Sequence, residues 1–140
     1  MSFGGYVALR AIQKSENLFC GLILVGAVYD IEDFAKSRTE TWDSLPYSFY
    51  FGKLKDFLLT LITKKSGIDI EKLNIPILIF HGKKDSRVPE HQPLKFIEEC
   101  KRYDKRYFYY NDFNTHGVNS PDEQFVCNSK MVDFINSMEL

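Results

Sequence analysis

The sequence predicts an α/β fold, built on a mostly parallel sheet with flanking helices. Short apolar runs of strand length alternate with segments of helical periodicity, an order that favours parallel strands joined by helices. The runs are nearly unbroken by polar residues, which is typical of strands buried on both faces. The chain has 140 residues, 44% of them hydrophobic and 26% charged. This length and composition suit one globular unit with a sizeable core.

The predicted elements begin with a helix at residues 4–14, where apolar residues recur at helical spacing. Three apolar runs follow as predicted strands, at residues 18–25, 77–80 and 107–110. A helix is expected after the second strand, around residues 94–100. Another is expected after the third strand, where Pro121 and Asp122 are suited to a first helical turn.

The segment between the first two predicted strands is interpreted as an insertion. Residues 30–72 are rich in aromatic side chains and contain an amphipathic helical pattern at residues 54–62. We expect a helical cap-like insertion within a single partial domain that spans residues 1–140. Its aromatic side chains are equally consistent with lining a substrate pocket and with packing the cap onto the domain.

The charge pattern argues against two classes of partner. The 18 Lys and Arg residues and 19 Asp and Glu residues leave a net charge of −1, and the basic residues are scattered along the chain. Nucleic acids and membrane surfaces attract clustered basic residues, so neither is expected as a partner. No apolar run approaches the ~18 residues that a membrane-spanning helix requires.

The cysteines indicate neither a disulfide framework nor a metal site. Cys20, Cys100 and Cys127 are odd in number and widely spaced, whereas zinc sites and disulfide-rich domains use paired, closely spaced cysteines. We expect three reduced and mostly buried thiols, with Cys20 inside the first strand. We also expect no metal, no cofactor and a cytoplasmic location.

A serine lies among glycines at the start of the chain. Ser2 and Phe3 are followed by Gly4 and Gly5, which matches the second half of the pattern Gly-x-Ser-x-Gly. In that pattern a nucleophilic serine occupies a strained turn between a strand and a helix. Glycines flank the serine because side chains beside the turn would collide. The first glycine of the pattern would precede Met1, so the chain begins within the motif.

Two further residues follow the second and third predicted strands. Asp85 lies in the loop after the second strand, and His116 follows the third. Parallel strands place the loops after them at one edge of the sheet, where sites form. The order Ser2, Asp85, His116 is that of a hydrolase triad on an α/β sheet. In such a triad Ser2 is the nucleophile, His116 the base and Asp85 its orienting carboxylate, while the Phe3 N–H stabilises the oxyanion.

The other histidines are interpreted without a direct chemical role. His81, which ends the second apolar run, is interpreted as a structural residue; the alternative is a supporting role behind the triad. His91 lies near a predicted helix start and is expected to be exposed.

The whole chain resembles the C-terminal half of an α/β-hydrolase catalytic domain, with the N-terminal half missing. It is most similar to the prolyl oligopeptidase family, which includes acylaminoacyl peptidases and dipeptidyl peptidases. The resemblance rests on residues 2–6, on residues 76–89 and on His116 with Gly117. It implies a serine-type peptidase that cleaves peptide bonds through an acyl-enzyme, with a second oxyanion donor in an upstream loop. Asn114 and Thr115 depart from the family, which more often has an acidic residue or glycine there.

Several alternatives to a peptidase stay open. An esterase or thioesterase of the same fold shares the Asp-x-x-Val-Pro stretch, and a truncated, non-catalytic remnant would carry the same residues. An N-terminal nucleophile enzyme would use Ser2 with its own amine as base, which leaves Asp85 and His116 unexplained. The expected partners are a peptide or acyl substrate and the upstream half of the domain. Without that half, the apolar edge of the first strand is expected to drive self-association into homo-oligomers.

Overall fold

The computed structural model describes residues 1–15, 17–34 and 67–138. The chain divides into two compact units, one of residues 1–29 with 69–140 and the other of residues 30–68. The predicted insertion at residues 30–72 overlaps the second unit. Most of it, including the predicted helix at residues 54–62, lies outside the described residues, so its cap-like character stays a prediction.

The first unit contains a three-stranded sheet and its helices. Its elements in chain order are helix α1 (Phe3–Ile12), strand β1 (Leu22–Val25), a short 3-10 helix (Ile70–Lys72), strand β2 (Ile77–Gly82), helix α2 (His91–Arg102), strand β3 (Tyr107–Phe113) and helix α3 (Pro121–Asn136). The predicted α/β fold is confirmed, and the elements differ from the predicted ones mainly at their ends. Among the described residues, no helix combines the length and the apolar character that crossing a membrane requires.

The three strands run parallel, with β2 between β1 and β3. Leu22 of β1 pairs with Ile77 of β2, which pairs in turn with Tyr107 of β3. The strands therefore start level, and the loops that follow them meet at one edge of the sheet. All six residues of β2 are buried, as expected for a central strand covered on both faces.

Alternate side chains of β2 point to opposite faces of the sheet, and both sets are buried. One hydrophobic cluster contains Leu78, Phe80, Phe113, Cys127 and Phe134. The last two of these belong to α3, so α3 covers this face. Ile77 and Ile79 alternate to the other face and are fully buried there.

The first strand is shorter than predicted, because its ladder with β2 ends at a proline. The N–H of Leu22 donates to the carbonyl of Pro76 at 3.0 Å. The register would next place the carbonyl of Cys20 opposite the N–H of residue 76, which proline lacks. Leu18 is 77% exposed and Cys20 is also exposed. The prediction of a buried Cys20 inside a strand was therefore wrong, whereas Cys100 and Cys127 are buried as expected.

Helix α3 begins with a reciprocal cap. The hydroxyl of Ser120 accepts a hydrogen bond from the N–H of Glu123 at 3.1 Å, and the carboxylate of Glu123 accepts from the N–H of Ser120 at 3.2 Å. Pro121 follows at the first helical position, where a missing N–H costs nothing. The two bonds satisfy donors that would otherwise lack partners at the helix start. They also define where the loop that carries His116 ends.

We expect Ser120→Ala to lower the free energy of unfolding by about 1 kcal/mol, because α3 loses its N-terminal cap. Ser129→Ala is the matched control, since Ser129 is exposed within α3 and alanine is the better helix former there. Urea denaturation followed by circular dichroism measures both variants. Equal stability of the two would contradict the capping role of Ser120.

Candidate active site

Ser2 occupies a strained turn immediately before α1. Its φ is 52° and its ψ is −135°, a region that residues with a side chain rarely adopt. Three backbone hydrogen bonds hold it there. The N–H of Ser2 donates to Val25 at 3.2 Å, and its carbonyl accepts from Gly5 at 2.9 Å and from Val28 at 3.1 Å. A serine held at positive φ where a helix begins has the backbone expected of a nucleophile elbow.

The two glycines after the serine differ in what they allow. A Cβ at Gly5 would collide with the side chain of Ala27 and lie 3.2 Å from its Cα. Helix α1 therefore packs directly on the segment after β1, and only glycine permits that approach. A Cβ at Gly4 would have no described atom within 4 Å. The steric reason expected for Gly4, two residues after the serine, is therefore not found there among the described residues, whereas a steric reason does apply to Gly5.

Phe3 is the first residue of α1. The first N–H groups of a helix have no acceptor within the helix. The N–H of Phe3 belongs to this turn, next to Ser2, and is therefore chemically suited to bind a negatively charged oxygen.

Asp85 follows β2 and presents its carboxylate inside the protein, with a side chain that is 0% exposed. One carboxylate oxygen, Oδ1, accepts hydrogen bonds from the N–H groups of Arg87 at 2.8 Å and Val88 at 2.9 Å. These bonds stabilise the buried charge and fix the direction of the carboxylate. The other oxygen, Oδ2, is left for a different partner.

That partner is His116, which follows β3. Its Nδ1 lies 2.7 Å from Oδ2 of Asp85, and its side chain is 9% exposed. A carboxylate can only accept, so Nδ1 carries the proton of this bond. In the neutral imidazole Nε2 is then the bare nitrogen, able to take a proton from a nearby hydroxyl. The structure thus brings together two of the three predicted triad residues in a hydrogen bond.

The loop that carries His116 is packed tightly against the end of β2. A Cβ at Gly82 would lie 2.8 Å from the carbonyl carbon and 2.9 Å from the nitrogen of Thr115, so only glycine fits. On the other side, the side-chain amide of Asn119 donates to Thr115 Oγ1 and to the carbonyl of Gly117, the latter at 3.3 Å. Both neighbours of His116 are therefore held in place.

Gly26, the residue after β1, connects the serine turn to the histidine–aspartate pair. A Cβ on Gly26 would lie 3.2 Å from Nδ1 of His116 and 3.4 Å from Oδ2 of Asp85, and its φ is +51°. Ser2 is bonded to Val25, the preceding residue. Ser2, Asp85 and His116 thus share one edge of the sheet, although no hydrogen bond of the described residues joins the Ser2 hydroxyl to His116. The sequence reasoning missed Gly26, which a glycine directly after an apolar strand could have indicated.

His81 belongs to β2, lies next to Asp85 and is 1% exposed. Its Nε2 bonds to the carbonyl of Val88 at 2.9 Å. Burial lowers the pKa of His81 from 6.5, against smaller opposing effects that include this bond, so the folded protein favours the neutral ring. His91, the first residue of α2, is exposed as expected. The part of the chain that the structure describes holds no group of three His, Cys, Asp or Glu side chains that could bind a metal ion.

The fold is that of the α/β-hydrolases. The chain matches the mouse α/β hydrolase domain-containing protein 10 with a TM-score of 0.70 at 16% identity, covering 99% of this chain and 60% of that one. The model of the prolyl oligopeptidase family matches residues 1–138, and the chain belongs to that family. No curated protein sequence matches it.

Two solved peptidases resemble the chain at this level. The acylaminoacyl peptidase of Pyrococcus horikoshii has a TM-score of 0.71 at 21% identity, over 97% of this chain and 22% of that one. Dipeptidyl peptidase 4 of Porphyromonas gingivalis has a TM-score of 0.69 at 20% identity, over 98% of this chain and 18% of that one. The chain therefore spans about a fifth of the length of these peptidases, and the likeness shows the shared fold.

Acidification is expected to destabilise the fold through His81. Because burial lowers the pKa of His81 in the folded chain below the usual 6.5, the unfolded chain binds a proton there more readily. The stability contributed by neutral His81 is thus complete above about pH 6.5, the ordinary histidine pKa. It declines as the pH falls from there through the lower pKa of the folded chain. His81→Gln removes this titration, so its free energy of unfolding should fall less than that of the wild type between about pH 7.5 and about pH 5.

Urea denaturation at the two pH values measures the difference. His91→Gln, at an exposed position, is the matched control for the replacement of a histidine by glutamine. The same loss of stability in His81→Gln and in the wild type would contradict the neutral state of His81.

Proposed function

We propose that the chain is the C-terminal part of the catalytic domain of a serine peptidase, with Ser2, His116 and Asp85 as its triad. The single observation that carries the proposal is the 2.7 Å bond between His116 and Asp85, formed beside the glycine that separates this pair from the strained turn of Ser2. Membership of the prolyl oligopeptidase family supports peptide bonds as the substrate. The likeness to an acylaminoacyl peptidase and to a dipeptidyl peptidase agrees with that substrate class.

The reaction proceeds in two steps. In the first, Oγ of Ser2 forms a bond to the substrate carbonyl carbon while Nε2 of His116 takes the serine proton. The carbon–nitrogen bond then breaks, and His116 returns the proton to the departing amine. In the second step a water molecule loses one proton to His116 and its oxygen bonds to the acyl carbon. The bond from that carbon to Oγ of Ser2 then breaks, and His116 returns the proton to Oγ, which releases the carboxylic acid and restores Ser2. Asp85 keeps the proton of His116 on Nδ1 and stabilises the charged imidazole.

The negative oxygen of each tetrahedral intermediate needs hydrogen-bond donors. The Phe3 N–H, in the first turn of α1, is one such donor in this proposal. We propose that a second donor lies in a loop upstream of the elbow, as the resemblance to the family implies. Loss of one such donor costs roughly 10²–10³ in turnover, so we propose that full activity depends on an upstream half of the domain.

The open side of β1 is the proposed contact for that upstream half. Among the described strands, β1 pairs with β2 alone. Ser2 is bonded to Val25 and Val28, on either side of Gly26, much as a residue of a neighbouring parallel strand would be. Ser2 therefore lies beside the end of β1, on the side that faces away from β2. Left uncovered, this side would pair with a second copy of the chain.

We expect a fluorophosphonate probe to label Ser2 when the chain is joined to an upstream half of an α/β-hydrolase domain. Ser2→Ala and His116→Ala should abolish labelling, and Asp85→Asn should slow it by up to about 10⁴-fold, because the imidazole loses its required tautomer. Mass spectrometry of the labelled peptide identifies the site. Ser129→Ala, an exposed serine on α3, is the control and should leave labelling unchanged. Full labelling of His116→Ala would refute the proposed triad.

The 140 residues alone should hydrolyse peptides at least about 10²-fold more slowly than the joined form, because the second oxyanion donor is proposed to come from the upstream half. Release of a chromogenic amine from a short peptide substrate measures both forms under one set of conditions. Comparable rates would show that the 140 residues already contain every group the reaction needs. Hydrolysis of an ester but of no peptide by the joined form would favour the esterase alternative.

A further inference from the structure

His81 takes no part in the proposed reaction, yet it contacts Asp85, which supplies the carboxylate of the triad, and Val88, which helps to orient that carboxylate. It is the fifth residue of β2 and almost completely buried. Its Nε2 lies 2.9 Å from the carbonyl oxygen of Val88 and 3.7 Å from Oδ2 of Asp85. Oδ2 is also the atom that bonds to His116. A buried polar side chain in an otherwise apolar strand is costly, so its contacts call for an explanation.

The bond to Val88 determines where His81 carries its proton. A carbonyl oxygen only accepts, so the hydrogen of this ring is on Nε2. The other nitrogen, Nδ1, is buried and has no hydrogen-bond partner among the described residues, which leaves nothing to hold a second proton. The ring is therefore a neutral donor. A neutral ring leaves the full negative charge of Asp85 available to His116, whereas a charged ring would compete for Oδ2.

Val88 connects His81 to the carboxylate of Asp85 through two hydrogen bonds. Its carbonyl accepts from His81, while its N–H donates to Oδ1 of Asp85 at 2.9 Å. The loop from β2 to Val88 is thereby closed on itself, and the N–H of Asp85 donates to Gly82 at 3.1 Å within it. Displacement of the Val88 carbonyl would shift the N–H that orients the carboxylate.

We propose that His81 is a positioning residue for the catalytic pair. By holding the Val88 carbonyl with its Nε2–H, it keeps Oδ2 of Asp85 directed at Nδ1 of His116. The inference rests on the proposed triad and adds a residue to the machinery that acts through Asp85. A merely structural His81 would fill space and would leave the bond between Asp85 and His116 unchanged when replaced by a side chain of similar size.

The wild-type chain provides the first test. It has three histidines, so ¹⁵N-edited NMR distinguishes their ring nitrogens. We expect a neutral His81 with its proton on Nε2, together with a strongly deshielded Nδ1 proton for His116. A proton on Nδ1 of His81 would overturn the proposal without any variant. Absence of the deshielded His116 signal would instead refute the bond between Asp85 and His116, and with it the proposed triad.

Two substitutions then separate positioning from packing. His81→Leu keeps the bulk and removes the donor, while His81→Gln places an amide N–H near the position of Nε2. In His81→Leu we expect the Nδ1 proton of His116 to move upfield and to exchange with water about tenfold faster, since the Val88 carbonyl is left unpaired. His81→Gln should keep both properties near the wild type. His91→Leu, at an exposed site, is the matched control.

An unchanged His116 signal in a folded His81→Leu variant would show that His81 only fills space, and the proposal would be wrong. If His81→Leu does not fold, His81→Met, which also lacks a donor, takes its place. Loss of the deshielded His116 proton in His81→Met but not in His81→Gln supports positioning by the donor, and the same signal in both variants overturns the proposal. Labelling of Ser2 in the wild-type joined form tests the triad separately, because that measurement does not depend on any substitution of His81.

Discussion

The parallel pairing of β2 with both of its neighbours is the constraint on which the rest of the described structure depends. Parallel strands that start level end toward the same edge of the sheet, so the loops after all three strands converge. The pairing even continues beyond the strands, since the N–H groups of Lys83 and Lys84 donate to Phe113 and Asn114, both at 2.9 Å. A bond between side chains 31 residues apart, from Asp85 to His116, becomes local once these loops are joined.

Close approach of backbones at this edge demands residues without side chains. At Gly26 a Cβ would lie only 3.2 Å from the His116 ring, and at Gly82 it would overlap the backbone of Thr115. At Gly5 it would overlap Ala27. Three glycines thus let the serine turn, the loop after β1 and the loop that carries His116 share a volume that larger residues would fill.

The same edge concentrates polar groups that are expensive to bury. The Asp85 carboxylate is fully covered, and two backbone N–H groups together with His116 offset the loss of its hydration. His81 adds a buried neutral donor next to it. Such an arrangement tolerates few changes, because removal of one partner leaves another buried and unsatisfied. The polar residues at the end of the apolar strand β2 therefore depend on one another for their hydrogen bonds.

The sequence by itself determined the α/β class, the order of the elements and the candidate residues Ser2, Asp85 and His116, because each rests on a local pattern or a motif. Only the tertiary structure decided which atoms meet. The start of β1 depends on the register with Pro76, so Cys20 became exposed. Phe125 fits the helical pattern of α3, yet it is 76% exposed, since local periodicity does not say which side of a helix finds a neighbour. Contacts across 31 or more residues depend on register and loop geometry, which no local pattern encodes.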